Sequence, residues 1–424
     1  MAKINELLRE STVTNSIQYG RPNLVALTRA TTKLVYTDIV AEQRTTQPIA
    51  ALYGVKYETP DDELSFKTGA TYGGAASASD RDSIEEITSA THSVTAGTLY
   101  KYNNVVYKAL ETGALNGATI DEALSEALVT LKLRFYSEAA ETAKFESNNV
   151  EISSANFTVN KWNARVKTRK LKTSLTVELA QDLEANGFDA NMFLEDLLAT
   201  TMADEVNKDV LQSLITVSRR YKVAGVSDNG TVDLSYSNAP EAARKLYQLV
   251  CEMNSYIQRE TSYSGTFVVA SARAAAVLAG SGWLKHRPED DEYLAESAYG
   301  FLANGLPVFV DVNSPLDYVT VGVKESFGGS EIIGSLFYAP YTEGLDLDND
   351  EHVGAFKVVV DPDSLQPTIS LMIRYALSAN PYTVAKDEKE ARIIDATDMD
   401  KMAGQSNMSI LLGVKLPAIL SEPQ

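Results

Sequence analysis

The longest run of ordered spacing in the chain lies between residues 189 and 216. Apolar side chains recur at Phe193, Leu194, Leu197, Leu198, Met202, Val206, Val210, Leu211 and Leu214. Steps of three and four residues place them along one stripe of an α-helix. At 1.5 Å per residue that helix is roughly 40 Å long, enough to cross a whole domain. Before it, LTVELAQDLEANG predicts a shorter helix that starts near Ser174 and stops at Asn186-Gly187, a common helix-ending pair. Downstream, Glu241–Glu260 predicts a helix, Thr266–Ala270 (TFVVA) a buried strand, and Ser271–Ala279 an alanine-rich helix capped by Ser271. Leu306–Asp311, Tyr318–Val323 and Ile332–Tyr338 read as strands, and Phe356–Val360 pairs with Thr368–Ser378 as a hairpin or sheet edge. This order is α+β, without the regular strand-helix alternation of a doubly wound sheet.

The first part of the chain is patterned differently. Residues 1–20 are polar and short, with a brief helical start at Ile4–Leu8, and read as an arm that needs a neighbour to order it. From Arg21 to Tyr57 apolar clusters alternate with polar breaks, helical at Leu24–Thr31 and extended at Leu34–Val40. Residues 58–92 are polar, with small residues and glycines at Thr68–Ser77, and predict a mobile loop. THSVTAGTLYKYNNVVYKAL (91–110) predicts two short strands around a turn at Tyr102–Val105, followed by an amphipathic stretch at Ile120–Leu133. Residues from about 88 to 150 therefore read as a small β-rich inserted subdomain. FTVNKWNARVKTRKLK (157–172) alternates apolar and basic residues and predicts one long strand on an exposed edge.

Charge and composition narrow the class. With 424 residues, 44% of them hydrophobic, the chain can bury a sizeable core in two or three lobes. The formal net charge of −19 opposes a surface that grips a nucleic-acid backbone. An acidic wall would instead let enclosed DNA slide, although solubility alone also accounts for the acidity. The start MAKINELLRE carries charges where a signal peptide needs an apolar core. No stretch approaches the roughly 18 apolar residues that span a bilayer. The expectation is a soluble protein of the cytosol, or of something assembled there, with no membrane partner. The single cysteine, Cys251, excludes an intrachain disulfide.

Candidate chemistry is sparse. His92, His286 and His352 lack metal-ligand spacing and read as surface residues. Asp346, Asp348 and Asp350 have the one-three-five spacing of a calcium loop. Glu351 stands where that loop needs glycine, and Lys357 where it needs the bidentate glutamate, so a solvated loop is expected. The cluster Glu289-Asp290-Asp291-Glu292 reads as a solvated face. Neither a nucleophile elbow nor a phosphate-binding glycine loop occurs. The 21 tyrosines are scattered, which favours wide contact surfaces over single-strand binding. No catalytic, cofactor-binding or metal residue is assigned, and no enzyme is expected.

KTRKLKTSLTVELAQDLEANGFDANMFLEDLLATTMADEVNKDVL (167–211) resembles the major capsid proteins of T-even-type myophages. The densest agreement is Glu178-Leu179-Ala180-Gln181-Asp182-Leu183, then Leu198-Ala199-Thr200 and Glu205-Val206-Asn207. Leu24-Val25, Asp38-Ile39-Val40 and Gln47-Pro48-Ile49 fit upstream, the last keeping less of the family's Gly-Pro-rich version. FVVASARAAAVLA, LPVFVDVNSPLDYVTVGVK, Leu336–Tyr341, Gln366-Pro367, Arg374-Tyr375 and Asn380-Pro381-Tyr382 follow in family order. The likeness covers most of 21–57 and 155–424 in collinear blocks.

That resemblance implies the HK97-like capsid fold. It would lay out as an N-terminal arm (1–57), an extended loop (58–165) carrying the insertion at about 88–150, and a peripheral domain (166–235) with a spine helix at about 189–216. A mainly axial domain (236–350) would follow, and 351–424 would return to the peripheral domain and end in an axial segment. The implied function is a subunit that self-assembles into hexamers of an icosahedral head shell. The shell would enclose phage DNA without sequence-specific binding, be assembled in the bacterial cytoplasm and reside in the virion. Vertex, portal, scaffold and decoration proteins would be its partners. A pentamer-forming vertex protein of the same fold is the alternative.

The insertion's LYKYNNVVYKAL is similar to the aromatic-strand pattern of chitin-binding modules. A carbohydrate-binding surface protein is thus a further reading, though in related capsid proteins such an insertion clasps an adjacent subunit. Ile4-Asn5-Glu6 and Leu8-Arg9-Glu10 match the family's protease context but lie too close to Met1 to release much. No residue establishes the Lys–Asn cross-linking known in some members.

Overall fold

The computed structural model describes residues 35–58, 71–146, 152–178, 180–181, 190–227, 229–236, 239–261, 263–285, 298–327, 331–341, 355–360, 366–381 and 396–416. The expected arm at 1–20, the helix stop at Asn186-Gly187, and the acidic runs at 289–292 and 346–351 lie outside these residues. Two compact units are distinguished: one of Met1–Lys33, Thr168–Val206 and Gly344–Arg374, the other of Leu34–Lys167, Asn207–Glu343 and Tyr375–Gln424.

The periodic stripe forms a helix of 28 residues, Ala190–Val217. Leu194, Leu198, Met202, Val206, Val210, Leu211 and Leu214 are its buried face, as the three- and four-residue spacing requires, whereas Leu197, counted in the same stripe, is exposed. A helix end leaves carbonyls without partners inside the helix. Here the Ser218 hydroxyl donates to Leu214 O at 2.6 Å, Arg220 to Ile215 O at 2.6 Å, and the Gly404 amide to Thr216 O at 2.9 Å.

In the first unit, Ala355–Val360 pairs antiparallel with the start of Pro367–Ala379, from Ala355 opposite Met372 to Val360 opposite Pro367. The expected hairpin pairing is therefore present. Arg169 and Glu205 form an ion pair at 3.2 Å in the same unit.

The main core of the second unit is an eight-stranded mixed sheet. Phe267–Ser271, buried along its length, lies between Pro307–Asp311 (parallel) and Tyr318–Gly322 (antiparallel). Ser406–Lys415 pairs with Tyr318–Gly322 on the far side. The helix Ala239–Thr261 covers this sheet with Ala242, Leu246, Leu249, Val250, Met253 and Ile257, again at helical spacing. Ser271 caps the helix Ala272–Gly280 by accepting from Ala274 N, as the sequence predicts. Buried Tyr318 donates to Asp311 at 2.7 Å, giving that buried carboxylate a partner. Elsewhere in the unit, Asn207 from the family motif accepts from the amides of Val35 and Tyr36, each at 3.2 Å, at the start of the short helix Tyr36–Ile39.

The insertion has its own core. Ile87, Val94, Tyr100, Tyr107, Leu115, Leu124 and Leu133 are buried together. Four strands, ordered Glu85–Glu86, Leu99–Tyr102, Val105–Ala109 and Leu133–Phe135, carry the helix Ile120–Val129. The predicted turn falls at Asn103 and Asn104, with φ of 52° and 64°. Two consecutive left-handed residues suit a two-residue hairpin, and asparagine tolerates that conformation.

Several sequence expectations change. Leu34–Val40, expected to be extended, contains the short helix Tyr36–Ile39, and Ile332–Tyr338 is divided between the strands Glu331–Gly334 and Leu336–Pro340. Residues 71–92 are ordered rather than a loose loop. Ser77 donates from its amide and hydroxyl to Asp80 at 3.1 and 2.6 Å, opening a one-turn helix at Ala78–Arg81. Buried Arg81 donates to Asn104 O at 3.0 Å and lies 4.8 Å over the Tyr72 ring. These polar residues find hydrogen-bond partners within the protein. The expected single edge strand at 157–172 is instead two strands, Asn156–Arg165 and Lys167–Ser174. The first of them is paired along its whole length.

Candidate assembly surfaces

Asn156–Arg165 pairs antiparallel with Ile49–Glu58, from Ile49 opposite Arg165 to Glu58 opposite Asn156, and makes a ribbon of two strands. Alternation gives a strand two faces. On one face Ala50, Leu52, Trp162 and Ala164 are buried with Ala41, Phe337, Ala339, Ala376 and Ala396. Trp162 meets Phe337 edge-on, ring centres 5.8 Å apart, and its indole donates to Ser378 Oγ at 3.1 Å.

The other face is open. Tyr53 is 58% exposed, Val159 58% and Phe157 68%. Tyr53 lies opposite Lys161, whose ammonium sits 5.7 Å from the Tyr53 ring centre. Val159 and Phe157 continue along the same side by the period-two rule. A two-stranded ribbon is marginal alone, and burying one large apolar side chain contributes about 1.5–3 kcal/mol. This stripe therefore has much to gain from a partner surface.

A second apolar group lies on the insertion. Val129 is 82% and Leu131 65% exposed, with Leu110 and Phe135 also outward. The Leu110 amide donates to Lys132 O at 2.8 Å, which draws these segments together. Leu131 follows the helix Ile120–Val129 in the left-handed region, with φ of 59°. That conformation costs a non-glycine residue roughly 1–2 kcal/mol.

The ends of the insertion are tied to each other. Lys144 Nζ lies 2.5 Å from Asp80 Oδ2 and donates to Ala75 O at 3.1 Å, while the Ala75 amide donates to Glu138 O at 2.9 Å. Hydrogen bonds from Lys144 and then Ser77 hold the Asp80 carboxyl below its usual range.

The histidine expectation needs one correction. His92 is largely buried, edge-on to Tyr100 with ring centres 5.5 Å apart, and its Nε2 is 3.5 Å from Glu85. The aromatic core of the insertion has room for a ring that composition alone places outside. His286 and His352 lie outside the described residues. Cys251 is half-buried, with the Asn304 amide 3.6 Å from its sulfur. Among the described residues no group of three or more His, Cys, Asp or Glu could hold a metal ion. No helix among them is long and apolar enough to cross a membrane.

The family model "Major capsid protein Gp23" matches residues 17–414. The chain belongs to this capsid-protein family. It is a structural component of a phage virion shell rather than an enzyme, and it assembles with other capsid subunits. The paired ribbon, separately cored insertion, 28-residue helix and eight-stranded mixed sheet agree with the HK97-like capsid fold that the resemblance implied. The "Capsid vertex protein" of Enterobacteria phage T4 is 68% identical over 426 residues, covering 99% of each chain. The "Major capsid protein" of the same phage is 26% identical over 329 residues, covering 71% of this chain and 60% of that protein. A solved structure from Mycobacterium phage Che8 aligns over 94% of this chain and 98% of its own, with a TM-score of 0.42 and 10% identity.

Proposed function

We propose that this chain is the vertex subunit of a tailed-phage head, forming the five-fold rings that close the icosahedral shell. The observation that carries this reading is the 68% identity, over 99% of both chains, to a protein named for the capsid vertex. Against the major capsid protein of the same phage the figure is 26%. The sequence resemblance alone favours the hexamer-forming major subunit, with the vertex subunit as the alternative. The relatives support the reverse order.

In this reading the ribbon is the extended loop, and its Tyr53–Val159–Phe157 face lies on a neighbouring subunit. The insertion, with Val129 and Leu131 outermost, is a clasp on another. Residues 236–350 serve mainly as the axial domain and 166–235 as the peripheral domain, and the shell encloses DNA without reading its sequence. A ring of identical subunits needs a head-to-tail interface that closes after a fixed number of copies. Native mass spectrometry of the assembled protein tests the count: five copies support the vertex reading, and six would return the major-subunit reading to first place.

A further inference from the structure

A cavity of about 800 Å³ opens where the long helix ends. Its lining includes Arg219, Arg220, Lys222 and Arg259, with Glu260 as the one carboxylate among the described residues that line it. That is unusual for a chain with 57 acidic and 38 basic residues. Like charges gathered on one wall repel, and the repulsion is relieved by a counter-charge.

The fold accounts for only two of the four cations. Arg220 donates to Ile215 O and Ser218 O, at 2.6 and 2.9 Å, and so closes the helix end. Arg219 is paired with Glu260 at 2.5 Å. Lys222 and Arg259 have no carboxylate within ion-pair distance among the described residues, and Arg259 lies 5.9 Å over the Tyr256 ring. Tyr221 and Tyr256, edge-on with ring centres 5.9 Å apart, line the same space.

We propose that this cavity binds phosphate groups. Guanidinium groups present planar forks that match phosphate oxygens two at a time, and a lysine adds a point charge. The volume is larger than a single phosphate needs, so a phosphate-bearing chain or a pyrophosphate fits, with Tyr256 beside it for stacking. Bound phosphate competes with Glu260 for Arg219. The negative charge of the chain as a whole makes binding local to this cavity and strongly salt-dependent. The proposal is independent of the vertex reading, since it rests on this cavity alone.

Two probes distinguish the source of the phosphate. Calorimetry with sodium pyrophosphate and anisotropy with a short fluorescein-labelled DNA oligonucleotide are run on the full chain at low salt. The exposed pair Lys222→Ala with Arg259→Ala, checked for an unchanged melting curve, is expected to weaken binding about tenfold or more. Glu260→Gln, which releases Arg219, is expected to tighten it by roughly threefold or more. Binding of both probes with these changes identifies DNA backbone as a source, and binding of pyrophosphate alone identifies a free phosphate anion. The proposal is overturned if neither probe binds, or if wild type and the double variant bind equally.

Discussion

Trp162 Nε1 donates to Ser378 Oγ at 3.1 Å, joining positions 216 residues apart. Around that bond Trp162 packs on Phe337, and the inner face of the ribbon is buried from Ala50 to Ala164. The ribbon is thus anchored at one end by its core face, while its opposite face is left for another surface.

Trp162→Phe keeps much of the ring packing and loses the indole donor, so the Ser378 hydroxyl gives up a partner. A loss of about 1 kcal/mol is expected. Trp162→Ala also opens a cavity, for about 3–5 kcal/mol. Urea denaturation of the unassembled protein checks both values.

The outer face should behave in the opposite way. Replacing Tyr53, Val159 and Phe157 by serine removes exposed apolar surface, so the stability of the single chain should change little, within roughly 0.5 kcal/mol per site. Assembly should fail or become much weaker. Sedimentation separates the two effects, and normal shells from the triple variant would refute this role for the ribbon.

The pair Asp80–Lys144 predicts a dependence on acid. The Asp80 pKa is lowered in the folded chain from 3.8. The charged carboxylate is therefore favoured by folding, and its contribution is present above that ordinary value and lost as pH falls through the folded one. Both side chains are partly exposed, 41% for Asp80 and 33% for Lys144, so solvent screens the effect. Melting curves at neutral pH and near pH 3 should differ less for Asp80→Asn than for wild type.

Leu131 is held left-handed and largely exposed. Leu131→Gly relieves the backbone cost and should leave the chain equally stable or more stable, by up to about 1 kcal/mol. If the side chain is kept for contact with a neighbour, the same variant assembles less well. Thermal melts and sedimentation on one preparation test both halves.

What was legible in the sequence was what neighbours along the chain decide. The stripe from Leu194 to Leu214 gave the long helix, since burial follows the spacing of adjacent turns. Phe267–Ser271 and the Asn103-Asn104 turn were readable for the same reason. Residues 71–92 were not. Their order comes from Arg81 reaching Asn104 and from Lys144 reaching Asp80, 64 positions away, and polar composition does not reveal such partners. The ribbon was half legible. The alternation in FTVNKWNAR indicated a strand, but its partner begins at Ile49, more than a hundred residues earlier. His92 was misplaced because its burial depends on Tyr100 and the packed insertion around it.

The central claim is a position in the shell, and electron cryo-microscopy of heads produced without this chain tests it directly. A vertex subunit predicts intact faces with density missing at the five-fold positions, restored when the chain is supplied. Heads with complete vertices, or no faces at all, would contradict the account.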